Sequence, residues 1–158
     1  MKSEDLHIQY KTYDSFDELS EADQVLLKKA EEVQAMAYAP YSKFGVGAAI
    51  QLTNGEVVTG SNQENAAYPS GLCAERVALF AVGSQFPNGV IKTLAVSAPS
   101  ANGLPGPPCG ACRQVMLESE RRQIGKIRIL FGQSTGKIVE MEGAESLLPL
   151  AFKENFLP

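Results

Sequence analysis

The chain has 158 residues, the size of a single domain. At that size folding buries roughly 70 % of the surface the unfolded chain exposes, so no disulfide framework is needed. Its 14 Lys and Arg against 18 Asp and Glu give a net charge of −4, and basic residues cluster no further than the pairs Lys28-Lys29 and Arg121-Arg122. That excludes the basic stripe a polynucleotide partner requires, while leaving room for a small nucleic-acid component as substrate. No apolar run approaches the ~18 residues of a membrane span, and Met1-Lys-Ser-Glu-Asp5 leads into polar residues rather than the apolar core of a signal peptide. The expectation is a soluble protein of the cytoplasm with no membrane partner.

Residues 1–19 are weakly patterned; Ile8, Tyr10 and Thr12 alternate, which suits an edge strand or a tail, and this segment is set apart from a single domain over 20–158. Ser20 with Asp23 three positions on is a capping box, opening a helix to about residue 36 with Leu26, Leu27, Ala30, Val33 and Ala37 on one stripe. Pro40 ends it. Residues 44–52 read as a strand, and Asn54-Gly55 is a strong hairpin signal leading into Val57-Val-Thr59. A loop over 62–71 precedes a helix over 73–85. Residues 91–97 form a β-branched strand with few charges, expected to be central. A Gly- and Pro-rich loop over 99–108 leads to a helix over 109–122. A strand over 126–131 follows, and the connection 133–136 is too short for a crossover, so 137–141 should return antiparallel. A short helix over 145–152 closes the chain. This order predicts an α/β fold with a mixed five-stranded sheet and helices on both faces.

The chain has three cysteines, Cys73, Cys109 and Cys112. An odd number cannot pair off, and composition alone favours reading them as buried apolar side chains over metal ligands. Spacing decides otherwise. Cys109-Gly-Ala-Cys112 opens a predicted helix, where the dipole lowers thiol pKa; alone it suits a redox pair or a metal clamp. Cys73, 36 residues upstream, also stands at a predicted helix start, so two helix N-termini can aim three thiolates at one point. Three protein ligands leave the fourth tetrahedral position open for water, the pattern of a catalytic Zn²⁺ site. His7, the only histidine, lies in the tail and is not taken as the fourth ligand. Glu75, two residues after Cys73, supplies the base that zinc-bound water requires. Cys73-Ala-Glu75 with Pro108-Cys-x-x-Cys112 matches the zinc-deaminase signature, with Cys in place of the more familiar His. Arg76 follows Cys73 by three residues on the same helix face, where it can donate to the sulfurs and offset the −1 charge of zinc with three thiolates. Arg113 reads as a surface residue.

The runs Tyr41-Ser-Lys-Phe44-Gly-Val-Gly-Ala, Asn62-Gln-Glu64-Asn-Ala-Ala-Tyr68-Pro, Cys73-Ala-Glu75-Arg76 and Pro108-Cys-Gly-Ala-Cys-Arg-Gln114 resemble cytidine deaminase, in its small homotetrameric three-cysteine branch. The resemblance extends from about Ala37 to Phe152. Blasticidin S deaminase shares the zinc signature, but the Asn62–Tyr68 run fits the cytidine enzyme better. The resemblance implies a three-layer α/β/α fold and hydrolytic deamination of free cytidine and deoxycytidine, with Glu75 moving protons between zinc-bound water, N3 and the leaving amino group. It also implies Asn62 and Glu64 on the sugar hydroxyls, Phe44 against the base and the backbone at Ala74 reading the cytosine edge. Tyr68 and Phe152 would contact substrate or a neighbouring subunit in a homotetramer with shared sites. The rival readings are a zinc deaminase of another nucleoside or base, a thiol–disulfide oxidoreductase using Cys109 and Cys112, and a zinc-stabilised binding module.

Overall fold

The computed structural model describes residues 1–100 and 102–157. In chain order its main elements are β1 (Lys11–Tyr13), α1 (Glu21–Gln34), β2 (Gly47–Leu52), β3 (Val57–Ser61), α2 (Ala74–Gln85), β4 (Ile91–Ser97), α3 (Gly110–Arg121), β5 (Arg128–Gly132) and β6 (Ile138–Glu142). The strands form one mixed sheet in the order β1-β6-β5-β4-β2-β3. Its parallel pair is β4 with β5, joined through α3; the other neighbours run antiparallel. Six strands therefore replace the expected five. The sixth is β1, which pairs with β6 at the sheet edge through Lys11, Thr12 and Tyr13.

Alternation along the strands sorts the core into two layers. Ala49, Ala95, Leu130 and Ile138 meet Leu26, Leu27 and Ala30 of α1 on one face. Ala48, Ile50, Leu94, Val96, Ile129 and Phe131 meet Ala78, Leu79, Val82, Met116 and Leu117 of α2 and α3 on the other. The result is α1, sheet, then α2 with α3, as the element order predicts. Ser20 caps α1 by accepting the Asp23 N–H at 3.2 Å. The expected reciprocal half of the capping box is not made, because Asp23 instead accepts from the Ser20 hydroxyl at 2.7 Å and from Arg128 at 3.1 Å. Arg128 also donates to the buried Glu140, which accepts from Lys11 and Tyr13 as well, so one charge network ties β1, β5, β6 and α1 together.

Two further expectations are corrected. The strand expected from residue 44 starts at Gly47, since the Asn62 side chain, rather than a strand, holds residues 44–46. The closing helix over 145–152 shrinks to a 3-10 turn at Ala144–Leu147. Pro149 has no N–H to continue a helix and pushes the residue before it out of helical geometry; Leu148 has φ −137° and ψ 76°.

The pairing register positions the functional end of the fold. Gly47 at the start of β2 is level with both Ser61 at the end of β3 and Ser97 at the end of β4. The segments leading to α2 and to α3 therefore leave the sheet at the same end of its strands.

Candidate active site

Cys73 and Cys109 are the N-caps of α2 and α3, each in extended backbone with φ near −70° (−70° and −68°), and neither side chain caps its helix. Both sulfurs are thus free to face outward along the positive helix ends, where thiolates are favoured. Cys112 lies one turn into α3 and is fully buried. The Cys73 and Cys109 sulfurs are 3.9 Å apart, those of Cys109 and Cys112 3.5 Å apart, and all three lie within 4.8 Å of one another. A tetrahedral zinc ion with Zn–S bonds of ~2.3 Å places its sulfurs about 3.8 Å apart, so the trio fits that ion. These separations are far beyond a disulfide bond of ~2.05 Å. His7 is not among them; it lines a separate groove with residues 145–156.

The electrostatics suit a cation. Hydrogen bonding with Cys112 draws the Cys73 thiol down to about 5, aided by Arg76 and Cys109 against the upward push of burial. The same Cys73 contact, together with burial, pushes Cys112 up. Arg76 sets its Nη2 3.8 Å from the Cys73 sulfur and 3.4 Å from the Gly71 carbonyl. Glu75 is only 4 % exposed, and burial, followed by the negative field at Cys73, raises its carboxyl pKa. Burial that favours the neutral carboxyl suits a group that must take up and hand on a proton.

Beside the sulfurs opens a cavity of about 530 Å³ lined by Asn62, Glu64, Tyr68, Cys73 and Arg76, together with Tyr41, Ser42 and residues 71–72. That is within the usual range for a small-molecule site. Glu64 accepts the backbone N–H groups of Tyr41 at 2.9 Å and Ser42 at 3.3 Å, and the Ser42 and Tyr41 contacts hold its carboxyl below the ordinary carboxylate value. Asn62 accepts from the Val46 N–H at 2.7 Å and donates to the Phe44 backbone carbonyl at 2.9 Å, while Phe44 itself, exposed, is not among the residues that line the cavity. Tyr41 and Tyr68 meet edge to face at 6.0 Å. Ala74, fully buried, opens α2 with first-turn N–H groups that have no intrahelical acceptor. Phe152 is not brought to this cavity; 60 % exposed, it stacks on Phe156 of its own chain.

Residues 20–127 match the family model described as the cytidine and deoxycytidylate deaminase zinc-binding region. This chain belongs to the cytidine deaminase family. It is 42 % identical over 129 residues to a cytidine deaminase of Halalkalibacterium halodurans, covering 82 % of this chain and 92 % of the relative. The crystal structure of cytidine deaminase from Burkholderia pseudomallei superposes with a TM-score of 0.74 at 36 % identity, covering 85 % of this chain and 100 % of that one. Cytidine deaminase from Mycobacterium tuberculosis superposes with a TM-score of 0.66 at 35 % identity, over 85 % and 98 % of the two chains. The matched zinc-binding region contains all three cysteines and Glu75.

Two residues with a part in the site give little sign of it in the sequence. Gly60 lets α2 lie directly on β3: a Cβ there would fall 2.6 Å from the Ala78 nitrogen and 2.8 Å from the Ala74 carbonyl. A glycine inside a strand pattern is the signal that marks such close approach. Arg113, read as a surface residue, instead donates to the Pro108 carbonyl at 2.8 Å and the Leu147 carbonyl at 2.9 Å. Its signal was the run of prolines before Cys109, which offers carbonyls but few donors of its own.

Proposed function

We propose that this chain hydrolyses free cytidine and deoxycytidine to uridine and deoxyuridine with release of ammonia. The observation that carries this reading is the trio of sulfurs at zinc-compatible separation with the buried Glu75 beside it, next to a nucleoside-sized cavity. Cys73, Cys109 and Cys112 would hold the Zn²⁺, which supplies a Lewis acid able to bring the pKa of a bound water toward neutrality. Glu75 accepts a proton in its desolvated pocket and delivers it to N3, making C4 electrophilic. After water oxygen has bonded to C4, Glu75 takes the remaining proton of that new hydroxyl and delivers it to the amino group, which leaves as ammonia, so oxygen replaces nitrogen at C4. Arg76 donates toward the sulfurs and draws off their excess negative charge.

Glu64 spends one oxygen on the 41–42 backbone and turns the other to the sugar hydroxyls, while its charge repels a phosphate. Asn62 shapes the sugar end by fixing residues 44–46, and Phe44 packs against the base. The N–H groups at Ala74 read the cytosine edge. Tyr68 and Phe152, both exposed in the single chain, complete the sites of neighbouring subunits in a homotetramer. Three free thiols suit the reducing cytoplasm, and the reaction is one of pyrimidine salvage.

Loss of the cytidine absorbance band tests this directly, with and without prior chelation. Turnover of the nucleosides that a chelator abolishes and zinc restores is the expected result; no turnover by zinc-replete protein overturns it. Free nucleosides should also be consumed far faster than their 5′-monophosphates or single-stranded DNA.

A further inference from the structure

Arg113 stands one residue beyond Cys112 and has no part in the chemistry above. Its backbone N–H donates to the Cys109 carbonyl at 3.0 Å, and its Nε donates to the Pro108 carbonyl at 2.8 Å. The peptide carbonyls on both sides of Cys109 are therefore held by one residue. The segment that delivers Cys109 has little means of holding itself: Pro105, Pro107 and Pro108 lack N–H groups, and Gly103 and Gly106 loosen the backbone. Cys109 is also the exposed member of the trio.

The far end of the Arg113 guanidinium is anchored in the core. Its Nη1 donates to the Leu147 carbonyl at 2.9 Å. Leu147 is buried and ends the 3-10 turn Ala144–Leu147, whose first N–H is itself held by Glu120 at 3.0 Å. Arg113 thus forms a strut from a core-packed turn to the loop that carries a sulfur ligand. A planar guanidinium serves two acceptors at fixed angles, which a lysine ammonium on its flexible stem does not.

We propose that Arg113 is a positioning residue: it holds the Cys109 sulfur in range of the Cys73 and Cys112 sulfurs and so slows the loss of zinc. The inference rests on the zinc-ligand reading given above. Groups that orient metal ligands typically change metal affinity by ~10–100-fold when removed.

The test uses the zinc-loaded full chain and its Arg113→Lys and Arg113→Gln variants, mixed with an excess of a chromophoric chelator. Both variants should release zinc roughly 10–100-fold faster than the parent, Gln more than Lys. At limiting zinc their kcat should fall and recover with added zinc, while KM for cytidine stays within about twofold, since no substrate contact is lost. Release at the parental rate, with melting temperature lowered equally in the zinc-loaded and zinc-free proteins, would show a merely structural role and overturn the proposal. If Arg113→Gln does not fold, Arg113→Lys decides alone. A parent that holds no zinc overturns the metal reading itself and this inference with it.

Discussion

A thiol at a helix N-cap gives up the hydrogen bond that Ser or Asp would make there, and that loss is the mark of its other use. Cys73 and Cys109 both sit at N-caps without capping, while Ser20 at the corresponding place in α1 does cap. Each of Cys73→Ala, Cys109→Ala and Cys112→Ala should therefore lower zinc content well below one per chain by elemental analysis and reduce the gain in melting temperature that zinc confers, because metal binding and folding are linked. Undiminished zinc in any of the three would remove that cysteine from the ligand set. These residues were legible in the sequence because the chemistry needs those residue types at that spacing. Arg113 was not: the proline run hints at its acceptor 5 positions away, but no local pattern reveals the one 34 positions away in the core.

At the scale of elements, α1, the Asn54-Gly55 turn and β4 were legible from periodicity and turn chemistry; Gly55 has the positive φ of +92° that the turn demands. The alternation of Ile8, Tyr10 and Thr12 left an edge strand or a tail open; β1 spans only Lys11–Tyr13, and its place depends on Glu140 across the sheet. The apolar content of 145–152 suggests a closing helix, but Pro149 confines it to the 3-10 turn Ala144–Leu147. Close contact between α2 and β3 depends on Gly60, so Gly60→Ala should cost ~1–3 kcal/mol through overpacking. Thermal denaturation should show a drop of about 2–4 °C per kcal/mol, and kcat should fall, since Ala74 and Glu75 move with α2. An unchanged melting temperature and rate would mean that α2 shifts freely.

The β1–β6–β5 edge carries a pH dependence of known sign. Burial raises the Glu140 pKa, but hydrogen bonds from Arg128, Lys11 and Tyr13 outweigh it and hold the carboxyl at about 2, below its ordinary 4.5. A depressed carboxylate pKa contributes stability that is present above the unfolded value and lost as pH falls through the folded one. Its contribution at pH 7 is of order 1–3 kcal/mol once solvent screening beside the partly exposed Arg128 is allowed for. Urea denaturation of Glu140→Gln should thus show a deficit against the parent at pH 7 that narrows between about pH 4.5 and 2. A deficit independent of pH across that range would contradict the network.

For the whole molecule, the cavity beside the sulfurs is open, and Tyr41, Phe44, Tyr68 and Phe152 remain exposed around one chain. A water-excluding site is readily completed by neighbouring subunits. Light scattering should report four chains per particle, and Phe152→Ala should keep its zinc yet bind nucleoside more weakly, by ~0.5–1.5 kcal/mol of aromatic pairing beyond area burial. A fully active monomer would refute the shared site. At this scale the expectation rests on family resemblance alone, since no single-chain pattern encodes which copy an exposed ring meets.

Everything proposed about the chemistry passes through one buried carboxylate, and turnover of cytidine by zinc-loaded Glu75→Gln protein isolates it. The amide keeps the shape of the site but cannot accept and deliver protons. General acid–base groups contribute ~10²–10⁴-fold, and a residue serving several transfers belongs at or beyond the upper end. The rate should therefore fall by about 10⁴-fold or more while the protein retains one zinc per chain. Near-parental turnover in that protein would contradict the assignment of Glu75 and the mechanism built on it.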